Sequence, residues 1–593
     1  MASSLTSSLQ QNQHLPPAID SRRSSTVRFG DKYHPAIDDH CDEWYQPFSR
    51  CEKLGFLVDS LSSENLHLQP EQEAVRPLLE TYKRLCQAVQ DDQENEPFGS
   101  NWASTQNAAR DMLPCRRTCD ALLDAYIKTF ESVLRIVHVP SFLRDYEHFW
   151  ENSTSSAVSN DETFECKLLL AAALGSTTIV PSESQRFQAI SLREQANSWI
   201  AYAKDWLARR TIKGMRADLS MAQISCLLAL TRHTHPQDAA PMGVAWLSEG
   251  HGLTHIAVQM GLHREPRSRS SCMSVKEAEI RRRLWATMLE LSIQISVDQG
   301  LPAPLAPESY DCEAPSSIAD DDLYLGIESQ DATSSTVLML LVQTQRLRLR
   351  ILQLVNAPGS SKTYQECCTL ATELNAAYCS SLEKLTSMGK TPPTDFQVKL
   401  MDVFTRPFVL ALHEPFAEQA CAKPEYYYSQ RMRMEVSAQL LKSPMNQGSY
   451  AALLTHGHGH FLLAQRKATM SLCLDLIREQ EENSFPSLDS ASRRQLRDVL
   501  LGSVDIFQRR VRATGGADST VEFLLFSCAV ACIEAMQQNS GRGKINEAIL
   551  EAAKTGLSFC CGTMERQRRR ESRPGSRPSE KIGEPDLMQM LMG

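Results

Sequence analysis

The chain has 593 residues, 42% of them hydrophobic and 22% charged, with a formal net charge of −9. This composition is globular and long enough for several domains or for one large helical unit. The acidic balance argues against wholesale nucleic-acid binding through a basic surface, and no run of eighteen apolar residues marks a membrane span. The start, MASSLTSSLQQNQHLPPAIDS, lacks the apolar core of a secretory signal. The eighteen cysteines are scattered, many within helical patterns, which reads as buried thiols in a reducing compartment and not as a disulfide framework.

Residues 1–40 are rich in Ser, Gln and Pro and read as a disordered leader. Residues 41–114 carry short helical segments, such as Glu71 to Ala88, and then a polar linker broken by Pro97 and Gly99. A helical domain is expected over 115–560. In its first stretch Leu123, Ile127, Phe130, Leu134 and Val137 form one helical stripe, Pro140 stops it, and Ser141 caps a second helix carrying Phe142, Tyr146 and Phe149. Leu168 to Ser176 reads as a buried helix, followed by helices over Ser182 to Arg209 and Met215 to His233.

The stretch from Met242 to Leu323 organises the rest. Leu247, Gly250, Leu253, Thr254, Ala257 and Gly261 share a helix face whose small residues admit a close neighbour. Ser274 and Glu277 form a capping-box signature ahead of an apolar stripe of Ile280, Leu284, Met288, Leu291 and Ile295. That helix ends near Gly300, where a Pro-rich loop (Pro302, Pro304, Pro307, Pro315) leads to the acidic run Asp320 to Asp322. Further helices are expected over Tyr450 to Glu481, Ser490 to Thr514 and Ser519 to Asn539. Strand-like alternation is nearly absent, so the fold class is all-α. Residues 561–593 form a basic, disordered tail in which Arg566, Arg568, Arg569 and Arg570 suit a nuclear localisation signal. The closing EPDLMQMLMG reads as a frayed terminus.

Four motifs in this order resemble the regulatory domain of fungal-specific transcription factors, the helical region that usually accompanies a six-cysteine zinc cluster. They are His138-x-Pro140-x-Phe142; GLHRE, with Gly261 and His263; E-I-RRRLW, with Arg281, Arg282, Arg283 and Trp285; and QGLPAP, with Gly300 and Pro302, running on to Asp311 and the DDDL segment around Asp321. A fifth, Leu-His-x-Pro-Phe (His413, Pro415, Phe416), is similar to a turn of the family. The resemblance assigns these residues a structural role. The chain departs from the family pattern at Ala286, where an aromatic is common, and at Glu290, the nearest acid to an expected Asp.

The zinc cluster would need a compact C-x2-C-x6-C arrangement, and no C-x-x-C occurs. Cys115 and Cys119, and Cys528 and Cys532, lie four apart and read as core residues. His456, His458 and His460 could clip a metal weakly, with His456 and His460 on one helix face, but read better as a polar helix start. His251 and His255 mimic HExxH spacing with Gly252 where the glutamate base would be. The acidic run at 320–322 reads as a solvated loop. No GxGxxG, P-loop or GxSxG is present.

The resemblance implies a nuclear, non-enzymatic transcription regulator of metabolic or secondary-metabolite genes, with no cofactor in this chain and no membrane. Its partners would be other transcription regulators or the transcription machinery, in a homo- or heterodimer. DNA would be reached through a partner or a missing zinc cluster, and a small-molecule effector is compatible with a pocket among the helices. The alternatives are a negative regulator that titrates a full-length relative, an enzyme on the same scaffold, or a gene from which an upstream zinc-cluster exon is missing.

Overall fold

A computed structural model describes residues 26–28, 44–62, 68–95, 109–151, 161–180, 186–214, 216–236, 250–269, 273–329, 331–356, 361–388, 392–442, 448–481, 490–538 and 540–571. The helices of eight or more residues among them are, in order, α1 (Gly55–Ser62), α2 (Arg76–Asn95), α3 (Arg116–Lys128), α4 (Val139–Glu151), α5 (Glu162–Ser176) and α6 (Arg186–Ile212). Then come α7 (Leu219–Thr231), α8 (Gly250–Gln259), α9 (Val275–Asp298), α10 (Thr336–Asn356), α11 (Tyr364–Met388) and α12 (Asp395–Ala417). The last are α13 (Tyr427–Leu441), α14 (Ser449–His456), α15 (Gly459–Glu481), α16 (Ser490–Thr514), α17 (Ala517–Gln537) and α18 (Arg542–Glu571). The fold is all-α. Its described strand pairing is one three-residue antiparallel ladder, Thr26–Arg28 with Ser361–Thr363.

The central element is α9. It packs against α7, α8, α10 and α15 and is buried on every side from Arg282 to Ser296, including its polar positions. The single apolar stripe expected there therefore describes only part of its contact surface. Ser274 caps α9 as its residue type suggests, its Oγ accepting the Glu277 N–H at 3.2 Å. Both α8 and α9 end in a glycine turn. Gly261 (φ +67°) and Gly300 (φ +62°) take the left-handed region that a side chain disfavours. The following N–H groups then reach back, Leu262 to Ala257 O and Leu301 to Ser296 O, both at 2.9 Å. The first half of the expected small-residue helix, including Leu247, lies outside the described residues. In the second half Leu253, Thr254 and Ala257 are buried, and Thr254 Oγ1 donates to Ser292 Oγ at 3.1 Å.

Residues 44–95 pack on the C-terminal helices. Phe48 and Phe526 rings lie 6.0 Å apart, and Tyr82 OH meets Thr520 Oγ1 at 2.7 Å. The α17 helix is long and apolar enough to cross a membrane by composition, yet most of it is buried inside the protein, against α15, α16 and α18.

Several local expectations are corrected. The stripe from Leu123 to Val137 is not one helix: α3 ends at Lys128, Thr129 leaves helical geometry, and a 3-10 turn covers Phe130–Ser132. Thr129 Oγ1 reaches the Tyr126 carbonyl at 3.4 Å, the acceptor that the Phe130 N–H would need for the helix to continue. Pro140 sits inside the first turn of α4, and His138, not Ser141, caps it, with Nδ1 accepting the Ser141 N–H at 3.3 Å. Phe408 to Phe416 is not a turn but the second half of α12, which runs through both Pro407 and Pro415. The helix expected over Tyr450 to Glu481 is two, α14 and α15, broken around Gly457. Residues 561–571, expected in the tail, are the final turns of α18.

Candidate functional site: the buried polar seam of the central helix

Two clusters of buried polar side chains lie along α9. The first gathers the motif residues at its N-terminal end. Arg283 Nη1 meets Asp320 Oδ1 at 2.6 Å, its Nη2 donates to Ile318 O at 2.7 Å, and its Nε donates to Glu279 Oε1 at 3.3 Å. The other oxygen of Asp320 takes Arg135 Nη2 at 2.5 Å and the Val139 N–H at 3.3 Å. Arg282 forms a two-pronged pair with Glu265, its Nε 3.1 Å from Oε2 and its Nη2 against Oε1. Backbone amides complete the latch: Ser316 N–H donates to Glu279 and Glu313 N–H to Glu265. Four chain segments are thereby tied together, those around Glu131, Glu265, Glu279 and Asp320.

The electrostatics follow from burial and pairing. Burial works against the Asp320 carboxylate, but Arg135 and Arg283 outweigh it and hold the pKa below the usual range. Glu131 is fully buried, and desolvation lifts it to about 8 against the pull of Arg135 and the Tyr126 hydroxyl. The acidic run is therefore not simply a solvated loop. Asp320 is its working member, while Asp321 and Asp322 are exposed.

The second cluster sits about two to three turns further along the same helix. Arg348 of α10 is fully buried and has all five of its N–H groups satisfied. Nη1 bonds Glu290 Oε1 (2.5 Å) and Phe404 O (3.0 Å), Nη2 bonds Glu290 Oε2 (2.7 Å) and Leu341 O (3.2 Å), and Nε bonds Thr344 Oγ1 (3.1 Å). Gln294 and Gln345 also donate to Glu290, at 2.8 and 2.9 Å. The residue at the expected Asp position thus holds the centre of the core, and at Ala286 the small side chain lets Gln345 reach the backbone carbonyl at 3.0 Å.

Pro407 explains the neighbouring contact. It has no N–H, so the carbonyl of Val403, four residues earlier, loses its helical partner. That carbonyl accepts His460 Nε2 at 2.9 Å, while His460 Nδ1 faces Asp298 Oδ1 at 2.6 Å. Both ring nitrogens face acceptors, an arrangement that favours the imidazolium. Burial opposes this charge, but Asp298 raises the pKa above the ordinary value. The adjacent His233 behaves oppositely. Its Nδ1 accepts the His460 N–H at 3.1 Å, and burial pushes it down to about 4.

The remaining motif residues are placed as follows. His138 bonds Ser141 Oγ at 2.8 Å and the Asp320 carbonyl at 3.4 Å. Phe142 packs on Phe164, ring centroids 5.5 Å apart. Arg281 donates to Met260 O at 2.8 Å. The His263 carbonyl accepts the N–H groups of Asp311 and Cys312, both at 3.1 Å, and Asp311 Oδ1 accepts from Glu265 N–H at 2.9 Å. Trp285 is core, 5.4 Å from the Tyr310 ring, and Pro302 is exposed. His413, Pro415 and Phe416 form a separate set, in which His413 bonds Ser429 Oγ at 2.9 Å and Phe416 packs on Tyr426. Arg566 and Arg569 are exposed and Arg568 half-buried on α18; the Arg570 side chain lies outside the described residues.

His456 and His460 fall on different helices, so they share no helix face. His255 is exposed. Among the described residues no group of three or more His, Cys, Asp or Glu could hold a metal ion. Of the four cysteines expected in the core, Cys119, Cys528 and Cys532 are buried but Cys115, ahead of the first turn of α3, is exposed; burial pushes the Cys528 and Cys532 thiols up to about 12. Sequence reasoning missed Arg135, Arg348, Asp298 and Asp475, the last paired with Arg433 in the core; Glu279 was singled out only as the first residue of E-I-RRRLW. The available signal was charge on otherwise apolar helix faces.

Fold and seam define a large helical regulatory domain, with its polar groups committed to holding helices together. The chain belongs to the family with the fungal-specific transcription factor domain, whose model matches residues 123–356. It is similar to transcription factor tenR of Beauveria bassiana, 33% identical over 94% of this chain and 74% of that protein. It is also similar to the aspyridones cluster regulator apdR of Emericella nidulans (32%; 79% of this chain, 61% of that protein) and to transcription factor lepE of Aspergillus flavus (30%; 84% and 60%). The chain thus spans about three fifths to three quarters of these relatives' lengths. No solved structure matches it.

Proposed function

We propose that this protein regulates transcription of a secondary-metabolite gene cluster from within the nucleus, through its helical domain and without catalysis. The observation that carries this reading is the 33% identity to a protein named as a transcription factor, extending over 94% of the chain; a second relative is named as a cluster regulator. The buried seam suits the role. It makes the helices around α9 one rigid body that can pass a displacement at one edge to another. Contact with DNA would come from a partner regulator, in a homo- or heterodimer, or from a zinc cluster encoded outside this sequence, and this chain would need no cofactor of its own. The exposed Arg566 and Arg569 would serve the import machinery.

The test is chromatin occupancy and transcript profiling of the tagged protein in its host, repeated with Arg566 to Arg570 changed to Ala. Discrete promoter peaks beside one biosynthetic cluster, lost when the variant stays in the cytoplasm, are the expected result. A cytoplasmic parent protein with no change in any cluster's transcripts on deletion would overturn the reading.

A further inference from the structure

The turn between α9 and α10 holds large apolar side chains out in solvent. Tyr324, Leu325 and Ile327 are 66, 70 and 60% exposed, three within four residues, and contiguous apolar surface of this kind is often functional. The turn is pinned at both ends, so covering these side chains calls for a partner and not for a local collapse. Asp320 is locked by Arg135 and Arg283, and Leu323 is fully buried. The N–H groups of Leu325 and Gly326 both reach the Asp322 carbonyl, at 2.9 and 3.0 Å, and Ser329 N–H donates to Ser317 O at 2.8 Å. Gly326 takes a left-handed φ of +67° and lies against Val275 in the first turn of α9, where a Cβ would stand 3.0 Å from Val275 Cγ1. Val275, itself exposed, thereby extends the apolar surface.

The rim carries both signs of charge. Lys276 Nζ donates to Tyr324 OH at 2.7 Å and stands 4.3 Å from the centre of its ring. Arg144 of α4 acts on the same hydroxyl, and the two cations, Lys276 first, lower the Tyr324 pKa. Asp322 and Glu328, on either side of the apolar run, are exposed, as is Asp321. A nucleic acid or an anionic membrane at this surface would face those carboxylates, and a uniformly basic partner would face Arg144 and Lys276. A surface with an apolar centre and both signs on its rim is suited instead to itself. A two-fold axis through the centre can set the cations of each copy against the carboxylates of the other.

We propose that the surface of Val275, Tyr324, Leu325 and Ile327, rimmed by Arg144, Lys276, Asp322 and Glu328, docks a second copy of this chain in an isologous contact. The two apolar centres cover each other, and the rim charges fix the orientation. The surface is small, at the lower end of specific interfaces, roughly 1,200 Å² in total, so the dimer forms and dissociates with concentration. This contact stands on the surface itself and would hold whether or not the chain regulates transcription.

The test is sedimentation velocity of the full chain over roughly 0.1 to 50 μM. The parent is expected to pass from monomer to dimer across that range. Leu325→Glu and Ile327→Glu should each stay monomeric throughout, with helical circular dichroism and Tm unchanged, because both positions face solvent within one copy. Arg144→Glu, and separately Asp322→Lys with Glu328→Lys, should each weaken dimerisation at least about tenfold. All three charge changes together should restore it, since in an isologous contact each copy supplies both partners. A parent that stays monomeric at every concentration overturns the proposal and leaves the surface to a different kind of partner. Apolar variants that dimerise like the parent overturn it too, as does a combined charge variant that regains no dimer.

Discussion

Replacing Arg348 by Met should be among the most damaging single changes in this chain, and the reason can be worked from contacts. The substitution is close in volume and keeps the apolar stem. It removes five donors and strips Glu290 of its counter-ion in a site with no exposed surface on either partner. Breaking one half of a buried pair of this kind costs about 3–5 kcal/mol, against a total stability of roughly 5–15 kcal/mol for a folded domain. Removing both halves, as Glu290→Leu with Arg348→Met, should recover most of that loss. Gln345 keeps its bond to Ala286 O and Gln294 keeps its bond to Phe404 O, each 3.0 Å. Few donors are then stranded. Urea denaturation of the parent, both single variants and the double variant, followed by helical circular dichroism, closes the cycle. The expected coupling is at least about 2 kcal/mol. A single variant within about 1 kcal/mol of the parent, or a double variant as unstable as the two losses summed, would refute the reasoning.

Three further outcomes are expected. Asp320→Asn should loosen the latch by about 3 kcal/mol, because Arg135 and Arg283 lose their shared carboxylate; limited proteolysis should then cut first in the segment around residues 313–329. Acid should destabilise the fold. His233, His413 and His458 are held near pKa 4 and His235 near 3 by burial. The unfolded chain therefore binds more protons than the folded one below its pKa of about 6.5, and stability falls as pH drops from there towards 4, by up to about 1.4 kcal/mol per pH unit for each fully buried group. His460, with a raised pKa, acts in the opposite sense: its contribution is complete below 6.5 and fades as pH rises through its folded value. The contribution of Glu131, lifted to about 8, likewise falls as pH rises from the unfolded carboxyl range towards 8, so both offset part of the loss from the four neutral histidines. A urea midpoint flat between pH 7 and 5 would contradict this balance, and His413→Gln should reduce the slope. Finally, Gly175→Ala would place a methyl 2.0 Å from the Leu122 carbonyl oxygen where α5 crosses α3. It should lower the urea midpoint by well over 1 kcal/mol equivalent, whereas Gly502→Ala, with nothing within 4 Å, should be neutral or mildly stabilising.

How much of this was legible beforehand depends on the range of the interaction. Ser274 as the cap of α9 and Gly300 as its stop could be read directly, because capping and left-handed turns are decided within a few residues; Gly261, expected on a helix face, is instead the left-handed stop of α8. The helical class was legible for the same reason: apolar spacing repeats locally. The break at Thr129 was not, because the apolar pattern continues through it; the break at Gly457 was half legible, since THGHGHF reads as a polar helix start, and the bond from Arg510 to the Gly457 carbonyl at 2.7 Å fixes where the chain turns. Nor was the working acid of the DDD run: Asp320, Asp321 and Asp322 are identical as letters, and only the positions of Arg135 and Arg283 select the first.

By itself, then, the sequence determined which segments are helical, where many of them start and stop, and which regulator family the ordered motifs belong to, since those properties are carried by residues close together in the chain. The tertiary structure alone decided the pairing of charges: Arg348 with Glu290 across 58 positions, His460 with Asp298 across 162, Arg135 with Asp320 across 185. A buried ion chooses its partner by proximity in space and by the scarcity of other counter-charges there, and neither quantity is written in sequence spacing.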